Sequence, residues 1–194
     1  MKELSLNILD IAQNSIKANA SLLEILLEET NETLRITIID NGCGMTPEIL
    51  ARVTDPFCTT RTTRKVGMGL PLFKMEAEQT GGNLEISSKS IADYPDSHGT
   101  KVSALFFKKH IDFTPLGDVI STIITIIQGS CDKTELIYRH IYPETGLDVK
   151  LDTRILKETL GNEVPLSEPE VLQWITEFLK ENYNTNHESE ENKR

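Results

Sequence analysis

"IIDNGCGM", Ile38 to Met45, decides how the rest of this chain is read. It closes an apolar strand pattern, "TLRITIID" (Thr33 to Asp40), and runs directly into two glycines one residue apart. Glycine reaches backbone conformations that other residues resist, so Gly42 and Gly44 let a flat group approach the main chain beside Asp40. A carboxylate held at a strand end can accept a hydrogen bond from an exocyclic amine. The plain reading is an Asp-Asn-Gly turn between a strand and a helix, and this stretch alone does not displace it.

On its N-terminal side, "ELSLNILDIAQNSIKAN" (Glu3 to Asn19) spaces Leu4, Ile8, Ile11, Ala12 and Ile16 at helical intervals, which predicts one amphipathic helix. "SLLEILLEE" follows and pairs with "TLRITIID" as a predicted hairpin of half-buried strands. Asp10, Asn14 and Lys17 share one face of the helix. Every surface helix has a polar face, but Asn is a poor mid-helix residue whose side chain prefers caps and turns. Its carboxamide oxygen suits Mg2+, a cation that takes oxygen ligands and keeps several waters. Asp10, one turn earlier, could orient or deprotonate a nucleophile.

On the C-terminal side, Thr46 and Pro47 read as the N-cap and first turn of a short helix, "PEILARV". "DPFCTTRTTRKVGMGLPL", Asp55 to Leu72, then gathers Arg61, Arg64 and Lys65 beside a glycine hinge, in a chain of net charge −10. Gly67-Met68-Gly69 would present free N–H groups at the start of the helix "LPLFKMEAEQT", an anion site. It is not a P-loop, because GxxxxGK[ST] is absent, and a lone GxG is weak. Gly81 and Gly82 stop that helix. "NLEISSKS" and "TKVSALFFKK" predict two more strands, with Gly99 and Thr100 of "HGTKV" opening the last.

Taken in order, these segments resemble the nucleotide-binding domain shared by DNA gyrase, Hsp90, sensor histidine kinases and the MutL mismatch-repair proteins, the GHKL superfamily. "DIAQNSIKANA" resembles its N-box and "DNGCGM" its first glycine box. "DPF" with "GMGL" resembles its lid and second box, and "GT" at 99 and 100 its third. "GGNLEISS" also has the family look. The resemblance covers about residues 1 to 107, and four boxes in order are far more specific than any one.

The resemblance implies a Bergerat-type α+β sandwich, a mixed sheet with helices on one face, and ATP with Mg2+ as cofactors. Asn14 would ligate the Mg2+ that bridges the phosphates. Asp40 would bind the adenine amino group, with Gly42 and Gly44 letting the ring approach, Met45 packing at the ring and Thr100 near the adenine end. Gly67, Gly69 and Leu70 would offer backbone amides to the phosphates, and Lys17 falls where histidine kinases often place a phosphate-contacting Lys or Arg. Thr60, Arg61, Arg64, Lys65 and Met68 would belong to the lid. Asp10 departs from the pattern. Gyrase-like, MutL-like and anti-sigma-factor members carry a Glu four residues before the Asn, and Asp is one methylene shorter. As a general base needs contact at roughly 2.6–3.2 Å, directly or through one water, the departure implies slow or partner-dependent activity.

Three functions follow as expectations: a regulatory kinase moving the γ-phosphate to a protein partner, an ATP-gated switch that dimerises and hydrolyses slowly, and a non-catalytic ATP sensor. The short lid and Lys17 favour the first. "HIDFTP", His110 to Pro115, faintly echoes the phosphoacceptor of histidine kinases, but its acid is shifted by one position and the linker reading is plainer.

The bulk composition agrees with this class. At 194 residues, with 38% apolar and 26% charged content, the chain is that of an ordinary soluble protein. No signal peptide or bilayer-spanning run is read, so a cytoplasmic location with no membrane partner is expected. The acidic balance argues against nucleic-acid wrapping, which needs clustered Lys and Arg. Three scattered cysteines, Cys43, Cys58 and Cys131, point to free thiols and away from zinc. The expected division is an ATPase domain at 1–108, a small α+β domain at 109–183 and a disordered polar tail at 184–194. In the second, a Thr/Ile helix precedes a hairpin and two helices. Trp174, Leu172, Ile175 and Leu179 fall at helical spacing, the mark of a core face.

Overall fold

The computed structural model describes residues 3–55, 69–130, 133–161 and 164–191, the last seven by their backbone alone. Helix α1 (Leu4–Lys17) leads into strands β1 (Leu22–Glu29) and β2 (Thr33–Asp40), then α2 (Pro47–Leu50), α3 (Gly69–Gln79), β3 (Asn83–Lys89) and β4 (Gly99–Phe107). Helix α4 (Val119–Ser130), β5 (Glu135–Tyr142), β6 (Leu147–Asp152), α5 (Thr153–Leu160) and α6 (Pro169–Glu191) complete the order. Among the described residues the strands form one mixed sheet, β3-β4-β2-β1-β5-β6. Neighbours are antiparallel except β1 and β5, which run parallel.

Alternation along the strands sets the core. Leu23, Ile25 and Leu27 of β1, Leu34, Ile36 and Ile38 of β2, and Val102, Ala104 and Phe106 of β4 are buried together with Leu4, Ile8, Ile11 and Ala12 of α1. The intervening residues, such as Glu24, Arg35, Lys101 and Lys150, give the opposite face its polar character, as the period of two requires. Helices α3, α1, α4 and α6 pack side by side in that order over the apolar face. Phe73 of α3 meets Phe106 of β4 with ring centroids 5.4 Å apart. Each such fully buried side chain contributes about 1.5–3 kcal/mol.

Helix α1 is fixed at both ends. Its first N–H groups, on Leu4 and Ser5, donate to the carbonyls of Pro115 and Leu116 at 3.0 and 2.9 Å. Beyond its last turn, Asn19 takes a left-handed conformation at φ 57°, one that Asn tolerates better than most residues. Helix α2 is shorter than the sequence suggests. It stops at Leu50 because Arg52 and Val53 donate to the carbonyls three residues back, the tighter 3-10 pattern that ends many helices. Thr46 does hold the N-cap position, yet its side chain makes no cap bond. Instead it hydrogen-bonds the Glu48 carboxylate, which lowers that group's pKa.

The connection after residue 108 does not interrupt the sheet. Strand β5 lies beside β1 with Leu23 opposite Leu136 and Leu27 opposite His140. Glu29 of β1 binds Lys108 and His140 at 2.5 and 2.9 Å, so residues from both sides of the expected division share one polar cluster. Helix α6 buries Ile175 and Leu179, while Trp174 is half exposed and stacks on Phe178 instead of entering the core. The segment expected as a tail from 184 is helical through Glu191, with no Gly or Pro to stop it. Among the described residues no helix is long and apolar enough to cross a membrane.

Candidate functional site

The C-terminal end of β2 gathers one group of polar residues under α1. Asp40 stands opposite Thr100 of β4 in register. Its Oδ2 accepts from the Ser15 hydroxyl of α1 at 2.7 Å, and its Oδ1 accepts from the Gly42 N–H at 2.9 Å. Asn41 turns the other way. Its Oδ1 accepts from the Ser21 and Leu22 N–H groups at 2.9 Å, binding the start of β1 to the end of β2.

Both glycines of this turn are required by close approach. A Cβ on Gly42 would stand 2.8 Å from the Ala18 Cβ, and one on Gly44 would stand 1.9 Å from the Lys89 carbonyl oxygen. Gly44 also has φ +66°, where side chains are strained. The Met45 N–H donates to Ser88 Oγ at 2.8 Å, and that hydroxyl lies 2.9 Å from Thr100 Oγ1. Gly42's carbonyl meets His98 Nδ1 at 2.6 Å; a carbonyl only accepts, so the ring donates from that nitrogen.

A second group lies where α1 meets the start of α3. The Asp10 Oδ2 atom stands 2.0 Å from where a Cβ on Gly69 would be, so the carboxylate abuts the first residue of α3. A helix N-terminus leaves N–H groups without intrahelical partners and favours negative charge. Asn14 is exposed and Asp10 half-buried. One turn before Asp10, Asn7 donates from Nδ2 to the Glu76 carboxylate of α3 in a buried contact. The two contacts, Asp10 with Gly69 and Asn7 with Glu76, run in opposite directions along the helices, so α1 and α3 are antiparallel.

Asp40, Gly42, Gly44, Met45 and Thr100 therefore converge at one end of α1, and Asp10 comes against Gly69, next to Leu70, at the other group. Lys17 is exposed in the last turn of α1. Thr60, Arg61, Arg64, Lys65, Gly67 and Met68 lie outside the described residues. Sequence reasoning missed Ser15, Asn41, Ser88 and His98. Ser15 directly follows Asn14 and Ser88 ends "EISS", but only the fold reveals their partners. His110 stands at the other end of β4: from Thr100 to Phe107 the strand rises roughly 23 Å at ~3.3 Å per residue, and His110 follows. Among the described residues no group of three or more His, Cys, Asp or Glu could hold a metal. A cation here would thus rely on few protein ligands.

The comparisons with known proteins bear on the family and the fold. The model of the family described as histidine kinase-, DNA gyrase B-, and HSP90-like ATPase matches residues 2–110. The "Putative sensor histidine kinase NtrY-like" of Rickettsia bellii is 28% identical over 90 residues, 46% of this chain and 15% of that protein. The "Sensor protein kinase FleS" of Pseudomonas aeruginosa is 40% identical over 58 residues, 29% of this chain and 14% of its own. The chain thus matches only about a seventh of the length of these relatives. Among solved structures, the N-terminal domain of a DNA repair protein superposes with a TM-score of 0.51 at 16% identity, covering 78% of this chain and 52% of that one. That likeness concerns the fold.

Proposed function

The chain belongs to the histidine kinase-, DNA gyrase B-, and HSP90-like ATPases, and on that premise we propose that it binds Mg-ATP and transfers the γ-phosphate to a protein partner. The observation that carries this reading is the Asp10 carboxylate set against the first residue of α3, with the Asp40–Thr100 pair at the base end. ATP laid between them would put its adenine amino group at Asp40 and its phosphates at the start of α3, where N–H groups favour anions. Gly69 and Leu70 would donate backbone amides there, and Lys17 would add charge from the end of α1.

Asp10 is then the residue to take the proton of the attacking nucleophile. Its side chain is short, which fits transfer to a partner group brought close more than rapid hydrolysis by a free water. The oxygen-bearing carboxamide of Asn14, exposed at this end, suits Mg2+ held jointly with phosphate oxygens. When bound, that ion would neutralise phosphate charge. The names of the relatives as sensor kinases support a signalling role, and a partner protein is the phosphoacceptor this reading requires.

The test is incubation of the purified protein with γ-labelled ATP, alone and with extract of the source cells. Label on one specific protein supports transfer. Free phosphate alone would make the chain a slow ATPase switch instead, and neither product would leave a binding module.

A further inference from the structure

We propose that Ser15 is a positioning residue for base selection: it fixes the Asp40 carboxylate so that its remaining lone pairs accept from the exocyclic amine of a 6-aminopurine nucleotide. This rests on the reading above that Asp40 holds the base. A carboxylate offers about four lone-pair sites and no donor. Here the Ser15 hydroxyl takes one on Oδ2 at 2.7 Å and the Gly42 N–H takes one on Oδ1 at 2.9 Å. What is left accepts only, so a base presenting an N–H donor is matched and one presenting a carbonyl, as guanine does at that position, is opposed.

Two bonds are needed to set the plane. The terminal torsion of an Asp side chain is broad, and the Gly42 N–H alone would act as a pivot. Ser15 is 3% exposed, so water does not readily take its place. Its alternative acceptor, the Ile11 carbonyl, is further away at 3.4 Å, leaving the hydroxyl proton to Asp40. Ser15 also adjoins Asn14, which faces solvent on the next position around the helix. Adjacent residues of one helix thereby serve the base and the phosphates.

Affinities of ATP and of purine riboside triphosphate, which lacks the 6-amino group, measured by titration calorimetry on the full chain and its Ser15→Ala variant test this. Wild type should prefer ATP. Ser15→Ala should lose about tenfold in ATP affinity, the weight of a hydrogen bond to a charged group, and leave purine riboside triphosphate almost unaffected. Equal weakening of both nucleotides, or an intact ATP preference in the variant, would overturn the role of Ser15 while leaving the nucleotide reading standing. A wild type that binds neither overturns both.

Discussion

The Asp10 carboxylate of α1 occupies the space that a side chain on Gly69 of α3 would need: Oδ2 stands 2.0 Å and Cγ 3.0 Å from the position of that Cβ. The missing side chain of one residue is what admits the acid of the other to the helix N-terminus. Gly69→Ala should turn the carboxylate away and lower γ-phosphate release or transfer at least tenfold, with only a small change in melting temperature. Asp10→Asn keeps the shape and removes the charge, so ATP binding should persist while turnover is lost. Steady-state phosphate assays with calorimetry on both variants check this, and unchanged turnover in either detaches Asp10 from the chemistry.

Asn14, whose carboxamide oxygen the proposed function gives to Mg2+, is exposed, so its removal should not disturb the core. Asn14→Ala is expected to abolish the gain in ATP affinity that Mg2+ confers, with the melting temperature little changed. Titrations with Mg2+ and with chelator decide it. An undiminished Mg2+ effect would place the ion elsewhere.

The cluster of Glu29, Lys108 and His140 at the far end of the sheet contributes to the pH dependence of stability. Burial by itself would raise the Glu29 pKa, but bonds from His140 and Lys108 outweigh it and hold the group below its ordinary 4.5. Burial would lower Lys108, yet its bonds to Glu29 and Tyr142 carry it above 10.5. Stability from Glu29 is present above its unfolded pKa and lost as pH falls through the folded one. That from Lys108 is present below 10.5 and lost as pH rises through its folded value. Burial pushes Tyr183 up to about 12 and Tyr138 well above 10.0, so the unfolded chain sheds protons first above pH 10 and stability falls there too.

Melting temperature should therefore hold a plateau between roughly pH 5 and 10. Glu29→Gln should lower the plateau by about 1–3 kcal/mol, some 2–12 °C for a chain of this size, and flatten the acid limb. A variant whose acid limb matches wild type would show that Glu29 does not set it.

Much of this was legible because its signals are local. The periodicity of Leu4, Ile8, Ile11 and Ala12, the alternation of β1 and β2, and the glycines around Cys43 each act within one turn or strand. Strand β5 is the opposite case. "TELIYRHIY" with "LDVKLDT" reads as a self-contained hairpin, and nothing local to it announces its parallel pairing with β1. Ser15 likewise reads as an ordinary helical serine until the fold brings Asp40 to it. Thr46 holds the N-cap position its sequence predicts, but its hydroxyl bonds the charged Glu48 carboxylate instead of the helix backbone.

The most direct test of the account is calorimetric titration of Mg-ATP into the full chain and into Asp40→Ala. One saturable site in wild type, weakened about a hundredfold or more in a variant that still melts cooperatively, is the predicted result. A wild type that binds no ATP, or an Asp40→Ala variant that binds it equally well, would contradict it.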